Sequence, residues 1–139
     1  MNPKPINIEL LDYDYNKNEY IMDGQPYTGI VFEYIGQEYS EINIVNGVFL
    51  GASRTWYISG VLKEEQHWWG NSMHGMYWEW YETGEIKSEQ IFQFNVKIKE
   101  WNYDIEGNII HFYEIDKKSA LLQQVNIHLK SVMCLKKPQ

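Results

Sequence analysis

The chain has 139 residues, 12 of them basic against 19 acidic, a net charge of −7 with the histidines neutral, and one cysteine. That length can bury a core without cross-links, the single cysteine excludes a disulfide framework and a thiolate metal cage, and the sign of the charge disfavours a nucleic-acid partner. The acidity is concentrated: residues 1–114 carry 18 acids and 7 bases, while residues 115–139 carry 5 lysines and one acid, a body suited to a basic protein partner.

In chain order, the opening MNPKPINIELLDYDYNKNEY lacks a basic region followed by an apolar run, so no signal peptide is expected. No apolar stretch is long enough to span a bilayer, and the lone Cys134 points to a reducing, cytoplasmic setting. Residues 29–47, GIVFEYIGQEYSEINIVNG, begin a series of about four related segments. Residues 51–66 (GASRTWYISGVLKEEQ) and 75–90 (GMYWEWYETGEIKSEQ) align without a gap at an offset of 24, sharing Gly, Trp, Tyr, Gly, Lys, Glu and Gln. Residues 99–113 (KEWNYDIEGNIIHFY) keep an aromatic four before the glycine, Tyr103, and a branched residue two after it, Ile109.

Each unit reads as a hairpin. Polar-Gly pairs (Ser59-Gly60, Thr83-Gly84, Glu106-Gly107) separate two alternating runs, and glycine supplies the positive φ of a tight reversal. Asn46-Gly47 and Gly70-Asn71 are turn signals for the opposite ends. A two-residue loop pairs Tyr57 with Leu62 and Trp56 with Lys63, and likewise Tyr81 with Ile86 and Trp80 with Lys87. A longer loop shifts that register by one. The expectation is a mainly β fold, an antiparallel meander of roughly eight strands built from repeated hairpins over residues 24–113.

After Tyr113 the pattern changes. Leu121, Leu122, Val125, Leu129, Val132 and Met133 fall on one stripe, which predicts an amphipathic helix over 116–136. It serves either as a cap on the sheet or as a partner-binding element. Residues 1–139 are read as a single domain.

The segments PYTGIVFEY (26–34), NGVFLGASRTWYISGVLKEE (46–65), MHGMYWEWYETGEIKSE (73–89) and WNYDIEGNII (101–110) resemble the variant MORN repeat. Lys99 stands where that pattern has glycine, and Gly36 comes two residues early. Small bacterial proteins of this type are similar to the YwqK-type antitoxins, immunity proteins against secreted or polymorphic toxins. The resemblance implies neutralisation of a partner toxin by direct binding, without catalysis or cofactor. The alternative it leaves open is a generic MORN-repeat scaffold that self-associates through an exposed sheet edge.

No catalytic constellation is legible. His67, His74, His111 and His128 do not fall at a helical two-ligand spacing. His67 and His74 flank a turn, but no carboxylate or cysteine spacing completes a metal site. Glu64, Glu65 and Glu89 recur with the repeat, which argues for a structural or surface role over an acid–base pair. The tryptophans are the other feature. Alternation puts Trp78 and Trp80 on one side of their strand, with Arg54 and Trp56, Trp101 and Tyr103, and Phe32 and Tyr34 at the equivalent places. These form two aromatic columns, either a core packed under the helix or interface anchors. The expected contact residues are Trp78, Glu79, Trp80 and Glu82 of the central unit, joined by Arg54, Trp56 and Trp101, facing a basic toxin domain.

Overall fold

A computed structural model describes residues 3–116 and Lys118. The chain opens with β1 (Ile6–Asn7), a 3₁₀ turn (Ile8–Leu10) and three short strands, β2 (Asp12–Asp14), β3 (Glu19–Met22) and β4 (Gln25–Pro26). Eight strands follow: β5 (Gly29–Ile35), β6 (Glu38–Val45), β7 (Val48–Trp56), β8 (Leu62–Trp69), β9 (Ser72–Trp80), β10 (Ile86–Gln93), β11 (Val96–Tyr103) and β12 (Ile109–Glu114). They form an antiparallel meander in sequence order, with β1 added in parallel beside β5, while β2–β3–β4 make a separate small sheet. The mainly β, eight-strand expectation therefore describes the sheet. The helix expected over 116–136 lies outside the described residues, apart from Asp116 and Lys118.

Two kinds of turn alternate. At one end, three loops close identically. Tyr57 N–H donates to Val61 O at 2.9 Å and Gly60 N–H to Tyr57 O at 2.8 Å, and the same pair of bonds recurs over 81–85 and 104–108. The glycines of these loops lie at φ 89°, 99° and 87°. The longer of the two registers left open by the sequence is therefore the one adopted: Trp56 faces Leu62 and Trp80 faces Ile86. Lys63, Lys87 and Ile110 are the extra residues of a bulge repeated in each hairpin. Gly36 instead makes a two-residue turn between Ile35 and Glu38, which accounts for its early position in the repeat. At the other end, Asn46-Gly47, Gly70-Asn71 and Phe94-Asn95 all have both central residues at positive φ, the tight turn whose twist matches a hairpin. Phe94-Asn95 carried no sequence signal, because a bulky aromatic is a poor occupant of that conformation.

The 24-residue period is enforced by side chains that stitch successive hairpins. The Oδ1 of Asn71 accepts from Phe49 N–H and that of Asn95 from Met73 N–H, each at 2.8 Å, while their own backbone N–H groups donate to the carbonyls of the same two residues. At the opposite end, Tyr57 Oη donates to Trp80 O and Tyr81 Oη to Tyr103 O, both at 2.8 Å. Lys63 and Lys87 lie over the rings of Tyr57 and Tyr81. The repeated Tyr and Asn positions are thus fixed by hydrogen bonding between units, and the repeated Lys by packing on the Tyr of its own hairpin.

Register assigns the faces. Val31, Ile42 and Ile44 share one face and are 0%, 8% and 0% exposed. Ile6, Ile8, Leu11, Tyr20, Tyr27 and Phe49 pack on them, so the N-terminal elements cover the first strands of the meander on this side. Gly47 is the hinge of that cover: Tyr20 N–H donates to Gly47 O and Gly47 N–H to Tyr27 O, both at 2.7 Å. A Cβ on Gly47 would sit 2.8 Å from Glu19 Cβ and 3.0 Å from Tyr20 O, whereas one on Gly60 would meet nothing. Gly60→Ala should therefore cost only the about 1–2 kcal/mol of a left-handed residue. Gly47→Ala should cost clearly more, and urea unfolding of the two variants side by side checks the order.

Candidate functional site

The face opposite the core is built from two rows running across the strands. The first, in register, is Phe32, Glu41, Arg54, Glu65, Trp78, Glu89, Trp101 and Phe112. The second holds Tyr34, Tyr39 and Trp56, then Leu62 opposite Trp56, Trp80 opposite Ile86, and Tyr103 opposite Ile109. The two columns expected from alternation are present, and they lie away from the buried cluster. Trp56, Trp78, Trp80 and Trp101 are half-buried, Arg54 is exposed, and the core-packing N-terminal residues lie on the other side.

Acids alternate with rings along the first row, and each is held by a donor. Glu41 accepts from Tyr39 Oη at 2.8 Å. Glu65 takes Arg54 at 3.3 Å and lies 3.5 Å from His67 Nε2. Glu89 accepts from Tyr103 Oη at 2.6 Å. Burial first, then the bond to Glu41 and its charge, push the Tyr39 hydroxyl up to about 12. The bond to Glu89, then burial, raises Tyr103. Both phenols therefore stay neutral donors that hold Glu41 and Glu89 in place. Further ring contacts stiffen the surface: Tyr39 against Trp56 at 5.7 Å, His67 edge-on to Trp78 at 5.7 Å and Trp101 against Phe112 at 5.7 Å. A depression beside Arg54 is lined by Ile30, Glu41, Asn43 and Ala52.

Five of the seven expected contact residues, Arg54, Trp56, Trp78, Trp80 and Trp101, are brought together on this face. Glu79 is not. It lies on the other side of β9, opposite Glu64 and Ser88, and accepts from Tyr77 Oη at 2.9 Å. Glu82 is exposed in the 81–85 loop, at the end of the sheet. The acids that do share the face, Glu41, Glu65 and Glu89, are 24 residues apart. Their recurrence was the available signal.

Comparison with known proteins adds little. No family model matches the sequence, and no curated protein does. A solved structure, described as accessory secretory protein 1,2 and 3 in Streptococcus pneumoniae, is similar to the chain with a TM-score of 0.38 at 12% identity. The match covers 98% of this chain and 28% of that one. A likeness that slight says nothing of function.

The histidines take separate roles. His67 Nδ1 lies 2.9 Å from Met76 O, while His74 stacks on Phe94 at 4.7 Å with its Nδ1 buried and unpaired. Burial lowers the His74 pKa below its ordinary 6.5. A base whose folded pKa is depressed destabilises the fold as it is forced to charge, so stability should fall as pH drops from about 6.5 through the lowered value. Melting temperatures at about pH 7.5 and about pH 5.5 should differ less in His74→Leu than in the parent chain.

Proposed function

We propose that this chain is a variant MORN-repeat protein that acts by binding another protein through the face carrying Arg54, Trp56, Trp78, Trp80 and Trp101. One observation carries the reading: the row in which Glu41, Glu65 and Glu89 alternate with Phe32, Arg54, Trp78 and Trp101 across seven adjacent strands. Eight strands at ~4.8 Å spacing and ~3.3 Å per residue make a face of roughly 900 Å², close to the ~800 Å² each partner gives a stable interface. Tryptophan and arginine are favoured binding anchors, and the fixed carboxylates on an acidic body favour a basic partner.

The resemblance to the YwqK-type antitoxins narrows this to an immunity protein that neutralises a toxin in the cytoplasm. Co-expression with the product of the neighbouring reading frame tests it. Co-purification and loss of that product's toxicity are expected; absence of both removes the immunity reading. A second reading, self-association as a scaffold, is favoured by one feature. Among the described residues, β12 is the edge of the meander and is exposed throughout, with Ile109, Ile110 and Phe112 at 60%, 65% and 50%, an edge suited to pairing with another strand.

A further inference from the structure

On the face opposite the tryptophan rows, a cavity of about 360 Å³ opens between the N-terminal elements and β5–β8, within the roughly 300–1,000 Å³ range of small-molecule sites. One wall is aromatic and fixed. Tyr20 stacks on Phe49 at 5.5 Å, and Phe49 meets Trp68 edge-on at 5.4 Å. The Trp68 Nε1–H is tethered to Ser53 Oγ at 2.9 Å. Between the ends lies the buried Ser40–Thr55 hydroxyl pair, 2.8 Å apart.

A carboxylate stands at each end. Glu33 pairs in register with Ser40, Ser40 with Thr55, and Thr55 with Glu64, so Glu33 and Glu64 are three strand spacings apart, about 14 Å. Glu64 accepts from Gln66 Nε2 at 3.2 Å and Thr55 Oγ1 at 3.4 Å and shares the single Tyr77 hydroxyl proton, 3.0 Å away, with Glu79, with no cationic hydrogen-bond donor to it among the described residues. Lys63, its neighbour in sequence, is committed to Glu38 at 2.7 Å, and Arg54, which also lines the cavity, is paired with Glu65 at 3.3 Å. Glu33 makes no hydrogen bond or ion pair among the described residues. Carboxylates that far apart cannot share one metal ion, whose oxygen ligands lie at about 2.0–2.6 Å.

We propose that this cavity binds an organic cation: an ammonium or guanidinium group at Glu64 or Glu33, with its aliphatic stem along Tyr20, Phe49 and Trp68. Rings beside a carboxylate hold such a group by cation–π attraction and apolar contact together. An elongated cation with charge at both ends meets both acids. The source is either a free polyamine or a basic side chain of a protein partner. The site lies across the sheet from the tryptophan rows and stands independently of what binds there.

The test is a titration of the full chain, read by the indole Nε1–H signals, with spermidine, with a capped tripeptide bearing one central arginine, and with 1-pentanol as an uncharged stem. A saturable shift of Trp68, with Trp78 and Trp101 unmoved, is expected from spermidine or the tripeptide, weakened about tenfold or more in Glu64→Gln. Glu33→Gln removes an acid with no hydrogen bond to lose and, for spermidine, which meets both acids, gives the same answer should Glu64→Gln fail to fold. Tighter binding of spermidine assigns the site to a free polyamine, and tighter binding of the tripeptide assigns it to a partner's side chain. No saturable shift, equal affinity in the folded charge-removal variants, or pentanol binding as tightly as the cations would overturn the proposal.

Discussion

Replacing Ile44 with alanine should lower the unfolding free energy by about 2–5 kcal/mol, the cost of emptying a fully buried aliphatic site. Ile44 is 0% exposed and belongs to the buried cluster with Val31 and Ile42. Among the described residues the buried apolar cluster is small, with Ile6, Ile8, Leu11, Tyr20, Tyr27 and Phe49 packed against it. A domain's net stability is about 5–15 kcal/mol, so the loss would be a large fraction of the total. It should also loosen the N-terminal cover, because Ile44 is beneath it. Urea unfolding measures the first effect, and hydrogen exchange at Tyr20 and Tyr27 N–H, whose partners are Gly47 O and Tyr20 O, measures the second. A loss under about 1 kcal/mol, far below the buried-site range, would mean that the cluster does not hold these elements together.

The second large effect concerns binding. Trp78→Ala should weaken association with the proposed protein partner by at least about 2 kcal/mol, roughly thirtyfold in Kd. Trp78 lies mid-row, flanked in register by Glu65 and Glu89 and braced by the His67 ring. A rigid half-buried indole between two carboxylates offers apolar area and nearby negative charge to an incoming basic side chain. Association should slow as salt rises, because the acidic body steers the encounter. Glu79→Lys should matter less than Glu65→Lys, since Glu79 lies on the other face. Calorimetric titration of the variants against the partner gives the order directly.

The aromatic columns were legible because two periods reinforce each other: strand alternation places Trp78 with Trp80, and the 24-residue offset places both with Arg54 and Trp56. The same alternation, followed one residue further, puts Glu79 across the sheet from its neighbours. Glu41, Glu65 and Glu89, not Glu79, share the face with the tryptophans. The hairpin register was not legible, because Ser59-Gly60 and Thr83-Gly84 are compatible with both loop lengths. The bonds from Tyr57 to Val61 and from Tyr81 to Glu85 decide it, and they involve backbone atoms that any residue carries. The N-terminal sheet escaped for another reason. Its strands are two to four residues long, too short for a period of two to register, and their place is set by long-range bonds to Gly47. Phe94 shows tertiary context overriding local preference: it occupies a left-handed position at φ 43° with its ring against His74.

The proposed binding surface is the tryptophan-bearing face. The most direct measurement is a titration of the full chain with the product of the neighbouring reading frame, following the indole Nε1–H signals of its six tryptophans. Trp78, Trp80 and Trp101 should shift together and saturate with the complex. A tight complex in which those three signals do not move would contradict this placement of the surface.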